Sequence, residues 1–135
     1  KRQPPVGTYE PETRVEPDAH LAIDPTAAGR LAEWFRLVGD ALELVRRNHA
    51  DQAPAIVQLW PEHFDVACTL NEVNLGGSPG DGDHPEPYLY AGPWEPRDGS
   101  FWNEPFGASV SWDQVSDAET AAAFLEEALA HAGAP

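Results

Sequence analysis

Two short stretches of this sequence carry side chains able to do chemistry. His63 and Asp65 stand two residues apart in Pro61-Glu62-His63-Phe64-Asp65-Val66, and Tyr88 and Tyr90 stand two apart in Tyr88-Leu89-Tyr90-Ala91. In an extended strand successive side chains point to opposite faces, so residues two apart share one. An imidazole beside a carboxylate is equipped for proton transfer, with a tyrosine or serine hydroxyl as the second partner; His63 or His84 beside Asp65 would serve. A metal site is the sharper version. His63 and Asp65, joined by His84 with Asp81, Asp83 or Glu86 from the turn-rich run 76–87, would offer two imidazoles and one or two carboxylates. That donor set suits a divalent metal such as zinc, iron or manganese, with His63, Asp65 and His84 as the candidate ligands.

Several other chemistries find no support. The spacing His-Glu-x-x-His is absent, and the Asp81-Gly82-Asp83 run lacks the glutamate that closes a calcium loop. A serine-nucleophile elbow is not expected. The glycine-rich stretch 76–82 has no lysine, precedes an expected strand rather than a helix, and carries acids that would repel phosphate. Cys68 lies within the apolar alternation of Phe64–Leu70 and reads as a buried, inert thiol. It is the only cysteine, so no internal disulfide forms, and a reducing, cytoplasmic setting is the natural expectation. His20, His49 and His131 look incidental, although His131 suits a helix C-terminus.

These side chains must be positioned by a small number of elements. A chain of 135 residues fits one domain with a real core, and five Trp, five Phe and three Tyr favour a packed globule. Residues 1–25 are punctuated by Pro4, Pro5, Pro11, Pro17 and Pro25 and read as an extended lead-in or strap; residues 26–135 read as a single α+β domain. Asp24 as cap, Pro25 at the first helical position and apolar residues at Leu31, Trp34, Phe35, Val38, Ala41, Leu42 and Val45 predict a helix ending near Asn48–Ala50. Strands are expected at Ile56–Trp60, Phe64–Leu70, Val73–Leu75, Tyr88–Gly92 and Ala108–Trp112, with a tight hairpin at Asn71–Glu72. Ser116-Asp117-Ala118-Glu119 reads as a capping box with Ser116 at the cap, opening a helix that Gly133 ends. The expected architecture is α+β, one antiparallel sheet of about four to five strands with two helices packed on one face.

Alternation then sorts the strand residues. Phe64, Val66, Cys68, Leu89, Ala91, Ala108, Val110 and Trp112 turn toward the helices. The opposite face shows His63, Asp65, Thr69, Tyr88, Tyr90, Ser109 and Ser111, and continuing the alternation upstream adds Glu86 and His84. Three readings of this face stand open: a solvated sheet surface, an interface with another part of the parent protein or a second copy, and a ligand or catalytic site. On any of them the candidate ligand or interface residues are His63, Asp65, Glu86, Tyr88 and Tyr90.

Charge narrows the partners. Residues 1–50 hold 7 basic and 8 acidic side chains, net −1, whereas residues 51–135 hold 15 acids and only Arg97, net −14. Such a surface repels nucleic acid and anionic lipid and leaves cations, neutral small molecules and basic protein surfaces. No apolar run approaches the length of a membrane span, and no signal-peptide pattern opens the sequence. The first residue is Lys1 and there is no Met, so the chain is expected to be the body of a longer protein.

The strings Trp60-Pro61-Glu62-His63-Phe64-Asp65, Ser78-Pro79-Gly80-Asp81, His84-Pro85-Glu86-Pro87-Tyr88 and Phe101-Trp102-Asn103-Glu104-Pro105-Phe106 resemble an uncharacterised bacterial family found mostly in high-GC actinobacteria. The resemblance spans roughly residues 20–130. It implies the C-terminal half of a longer chain, completed by an N-terminal half, and it brings no activity, substrate or cofactor with it.

Overall fold

In the computed structural model, residues 22–133 are described, together with Asp18 and His20. Apart from those two, the expected lead-in up to residue 21 lies outside the described residues. Asp24 caps helix α1 (Pro25–Asn48) as anticipated, its carboxylate accepting from the backbone N–H of Thr26 at 2.8 Å and of Ala27 at 3.4 Å. One stripe of α1, Trp34, Val38, Ala41, Leu42 and Val45, is fully buried. The strands follow as β1 (Gln58–Trp60), β2 (Asp65–Leu70), β3 (Val73–Ser78), β4 (Tyr88–Pro93) and β5 (Ala108–Ser111), and helix α2 (Ala118–Gly133) closes the fold. The sheet is an antiparallel meander, each strand beside its sequence neighbour. Helix α1 lies over β2 and β3 and α2 over β3 and β4, so both helices cover the same face. The α+β architecture is the one the alternation predicts.

Two boundaries differ from expectation for instructive reasons. The Gly76-Gly77-Ser78 segment, read from sequence as loop, is the second half of β3, with Gly76 and Gly77 paired to both β2 and β4 and Ser78 to β4. Its glycines are strand residues because larger neighbours occupy their side-chain space. A Cβ on Gly77 would run into Val38 and Trp34 of α1, so bare backbone lets the helix settle onto the sheet. A Cβ on Gly76 would meet the Tyr90 ring at 2.6 Å and Ala67 Cβ at 2.8 Å on the opposite face. The second difference is at α2, where Asp117 rather than Ser116 caps. Its carboxylate accepts from the Thr120 N–H at 2.8 Å and hydroxyl at 2.7 Å, so the cap stands one residue later than the serine-based box predicts.

The hairpin at Asn71–Glu72 is a two-residue turn with both φ values positive, 49° and 62°, as a type I′ turn requires. Trp112 does not complete β5; it enters a short 3-10 turn (Trp112–Gln114) and tilts against Trp34 at 5.3 Å, with the Arg30 guanidinium 5.6 Å from its ring centre. Among the described residues no helix is long and apolar enough to cross a membrane.

Candidate functional site

The face of the sheet opposite the helices is built by the register. Pairings of Asp65 with Trp60, Ala67 with Gly76, Gly76 with Tyr90 and Tyr90 with Ser109 put these residues on one side, because directly opposed residues share a face. Along this face Ser78 opposes Tyr88, and Tyr88 opposes Ser111. Of the expected set, Asp65, Thr69, Tyr88, Tyr90, Ser109 and Ser111 are therefore co-facial along β2, β4 and β5, whereas His63 stands in the turn before β2, where Phe64 at φ 56° breaks the alternation and lies half-exposed instead of turning inward.

It is not a flat solvated surface. Gly76 leaves a groove across β3 in which the Tyr90 ring lies, and this lets Tyr90 reach from β4 to β2 and donate its hydroxyl to Asp65 Oδ2. Asp65 is consequently buried, with 7% of its surface exposed, and its Oδ1 has no hydrogen-bond partner among the described residues. Tyr88 repeats the arrangement next door, donating to Asp81 Oδ2 at 2.7 Å. The two tyrosine rings are 6.3 Å apart. Burial, reinforced by the accepting Asp65 carboxylate, drives the Tyr90 hydroxyl well above the ordinary phenol range. Burial and Asp81 push Tyr88 up to about 12. Both therefore stay neutral donors, poorly suited to act as bases. Burial also raises the Cys68 thiol to about 11, which fits the inert core thiol that the sequence suggests.

The loop between β3 and β4 is tied down by its own side chains. Asp81 Oδ1 accepts from the N–H groups of Asp83 and His84 at 2.9 and 2.8 Å, an Asx-type turn, while the Asp81 N–H returns to the His84 carbonyl at 2.7 Å. The Tyr88 hydroxyl, followed by these N–H groups, holds Asp81 below the usual carboxylate range. This turn folds His84 back onto the Tyr88 ring at 4.8 Å and within 3.1 Å of Glu104 Oε1. Glu104 is set in turn by the Ser109 hydroxyl at 2.8 Å. The upstream extension of the strand through Glu86 and His84 therefore does not form. The chain bends at Glu86, β4 begins at Tyr88, and Glu86 lies exposed outside the main pocket.

The hydrogen bond that the His84 ring donates to Glu104 raises the His84 pKa; the Ser109 hydroxyl and then His84 lower that of Glu104. The His84 contribution is complete below the unfolded value of about 6.5 and is lost as pH rises through the higher folded value. The Glu104 contribution is complete above its ordinary value of about 4.3 and is lost as pH falls through the depressed one. Loop anchoring should thus be strongest between about pH 4.5 and 6.5. An NMR titration of the His84 ring should give a midpoint above about 6.5 that falls back toward it in Glu104→Gln; an unchanged midpoint would refute the pairing.

The resulting pocket has a volume of about 510 Å³. It is lined by Asp65, Asn74, Ser78, Asp81, Tyr88 and Tyr90, together with His63, Gly92, Pro93, Trp94 and Phe106. Trp94 and Phe106 are 61% and 41% exposed, and Trp94 Nε1 donates to Asn74 Oδ1 at 3.3 Å. His63 and Asp65 line this pocket together, whereas His84 lines a neighbouring one with Glu104 and Ser109. Among the described residues no group of three or more His, Cys, Asp or Glu side chains gathers as a metal site, so the His63, Asp65 and His84 set is not brought together.

Sequence reasoning passed over Asn74, Ser78, Trp94 and Phe106. Trp94 and Phe106 lie outside regular strands, where alternation says nothing, and Ser78 was hidden by the loop reading of Gly76–Gly77. The residues Gly76-Gly77-Ser78-Pro79-Gly80 do spell Gly-x-Ser-x-Gly, contrary to the expectation that no such elbow exists. Yet a loop follows β3 instead of a helix, and Ser78 Oγ accepts from the Gly80 N–H at 3.1 Å, so the strand–turn–helix context of a nucleophile is missing. Comparison with protein-family models, with curated proteins and with solved structures finds no match to this chain.

Proposed function

We propose that this domain is a binding module whose open sheet face receives a protein partner. The observation that carries this reading is the exposure of large aromatic rings on and around that face, Trp60 at 41%, Trp94 at 61% and Phe106 at 41%, in a strongly acidic domain. Aromatic residues of this kind are enriched in interface cores and supply most of their energetic anchors. The pocket's tyrosines fit recognition: the Tyr90 and Tyr88 hydroxyls are engaged as donors to Asp65 and Asp81, which fixes the shape of the pocket before a partner arrives.

Site-specific photocrosslinking tests the reading in cells that make the full protein. A benzophenone side chain at Trp94 should yield a discrete protein adduct. The same group at Arg36, on the exposed side of α1 with 73% of its side chain accessible, should not. No adduct from Trp94, or the same adducts from both positions, would remove the proposal.

A further inference from the structure

We infer that the pocket takes the guanidinium of an arginine side chain carried by the partner, a step that rests on the binding-module reading. Charge is the first argument. Two carboxylates, Asp65 and Asp81, line the pocket and, among the described residues, no lysine or arginine does; both carboxylates belong to a stretch of net charge −14. Anionic groups are repelled there and a cation is drawn in.

Asp65 provides the second and independent argument. It stands in the wall common to the main pocket and a smaller cavity of about 270 Å³ beside Trp60. Tyr90 satisfies Oδ2, while Oδ1 is buried and accepts nothing. A buried carboxylate oxygen without a donor is unfavourable; Oδ1 is closed to the pocket as the side chains stand, so a guanidinium reaches it only when a neighbouring side chain shifts aside, and the N–H groups it brings then remove that penalty. A neutral apolar ligand would leave Oδ1 as it is.

The walls decide between cations. Tyr88, Trp94 and Phe106 present aromatic surface to the pocket. A planar, weakly hydrated guanidinium stacks on such rings and donates two parallel N–H bonds to one carboxylate. An ammonium is a strongly hydrated point charge and loses more on entering an aromatic-walled site.

The test uses three small probes, the N-acetyl methylamides of arginine, lysine and citrulline, titrated into the isotopically labelled protein and followed by amide NMR shifts. Citrulline keeps the shape of arginine without its charge. For probes of this size a dissociation constant on the order of 1 mM is expected for arginine. Citrulline and lysine should each bind at least about tenfold more weakly. Asp65→Asn should weaken arginine binding about tenfold. Should that variant not fold, Trp94→Ala removes an exposed ring and should weaken it about threefold or more. The inference falls if citrulline or lysine binds as well as arginine, if both variants bind arginine like the parent, or if no probe shifts the pocket amides at about 20 mM. Failure here with a specific Trp94 crosslink would leave the binding-module reading in place; failure of both would remove both.

Discussion

Replacing Trp34 by alanine should lower the unfolding free energy by about 4–5 kcal/mol, the upper end for truncating a buried tryptophan. Trp34 is fully buried at the centre of the core, between α1 and β3, with Trp112 against its ring. Its indole N–H also donates to the Ser78 carbonyl at 2.8 Å, so truncation opens a large cavity and strands a backbone acceptor at the end of β3. The space cannot easily close, because Gly77 beneath it has no side chain to move in. Trp34→Phe keeps most of the ring and loses the hydrogen bond, and should cost about half as much. Urea unfolding followed by far-UV circular dichroism measures both. A Trp34→Ala midpoint shift equivalent to less than about 1 kcal/mol would mean that the indole does not organise this core. Because Ser78 lines the pocket, the same variant should also loosen β3 beside the site, visible as faster amide exchange at its end.

Tyr90→Phe is the second large effect, expected at about 2–3 kcal/mol although only one oxygen is removed. Asp65 Oδ1 already lacks a partner, and the substitution takes away the hydroxyl that Oδ2 accepts from. Asp65→Asn should be milder, about 1 kcal/mol, because the amide oxygen still accepts from Tyr90 and the charge is gone. In a double-mutant cycle the pair should be clearly non-additive, Tyr90→Phe costing much less once Asp65 is neutral. Simple additivity would show that the two side chains do not depend on one another. The pair also predicts an alkaline effect. The Tyr90 pKa is raised on folding, so its contribution is complete below the unfolded phenol value of about 10 and is lost as pH rises through the folded value. Stability of the parent should therefore decline above about pH 10, and Tyr90→Phe should flatten that decline while Tyr88 retains its own share.

Much of the framework was legible because it depends on local chemistry. The Asp24–Pro25 start of α1, the stripe from Trp34 to Val45, and the hairpin at Asn71–Glu72 each follow from neighbours within a turn or two. Strand alternation was equally local, and with it the sharing of one face by Asp65, Tyr88, Tyr90 and Ser109. Period-two geometry holds wherever a strand is continuous, so a face can be assigned before the strands are ordered.

What surrounds those residues was decided only by tertiary structure. Gly76 and Gly77 looked like a turn because glycine's local preference is permissive, whereas their actual role is to leave room for Tyr90 on one side and Trp34 and Val38 on the other. Those contacts lie 14 residues away along the chain on one side and about 40 on the other, beyond any local pattern. The burial of Asp65 follows from that room, since Tyr90 can cross β3 only over a bare backbone. Trp94 and Phe106 reached the pocket from segments with no period to read, and His84 was turned away from His63 by Asp81 and Glu104, two loop-borne carboxylates. Sequence therefore determined which side chains share a face, a matter of backbone geometry. Only packing across the sheet decided which of them are buried, which carboxylate oxygen lacks a donor, and that the face is a pocket.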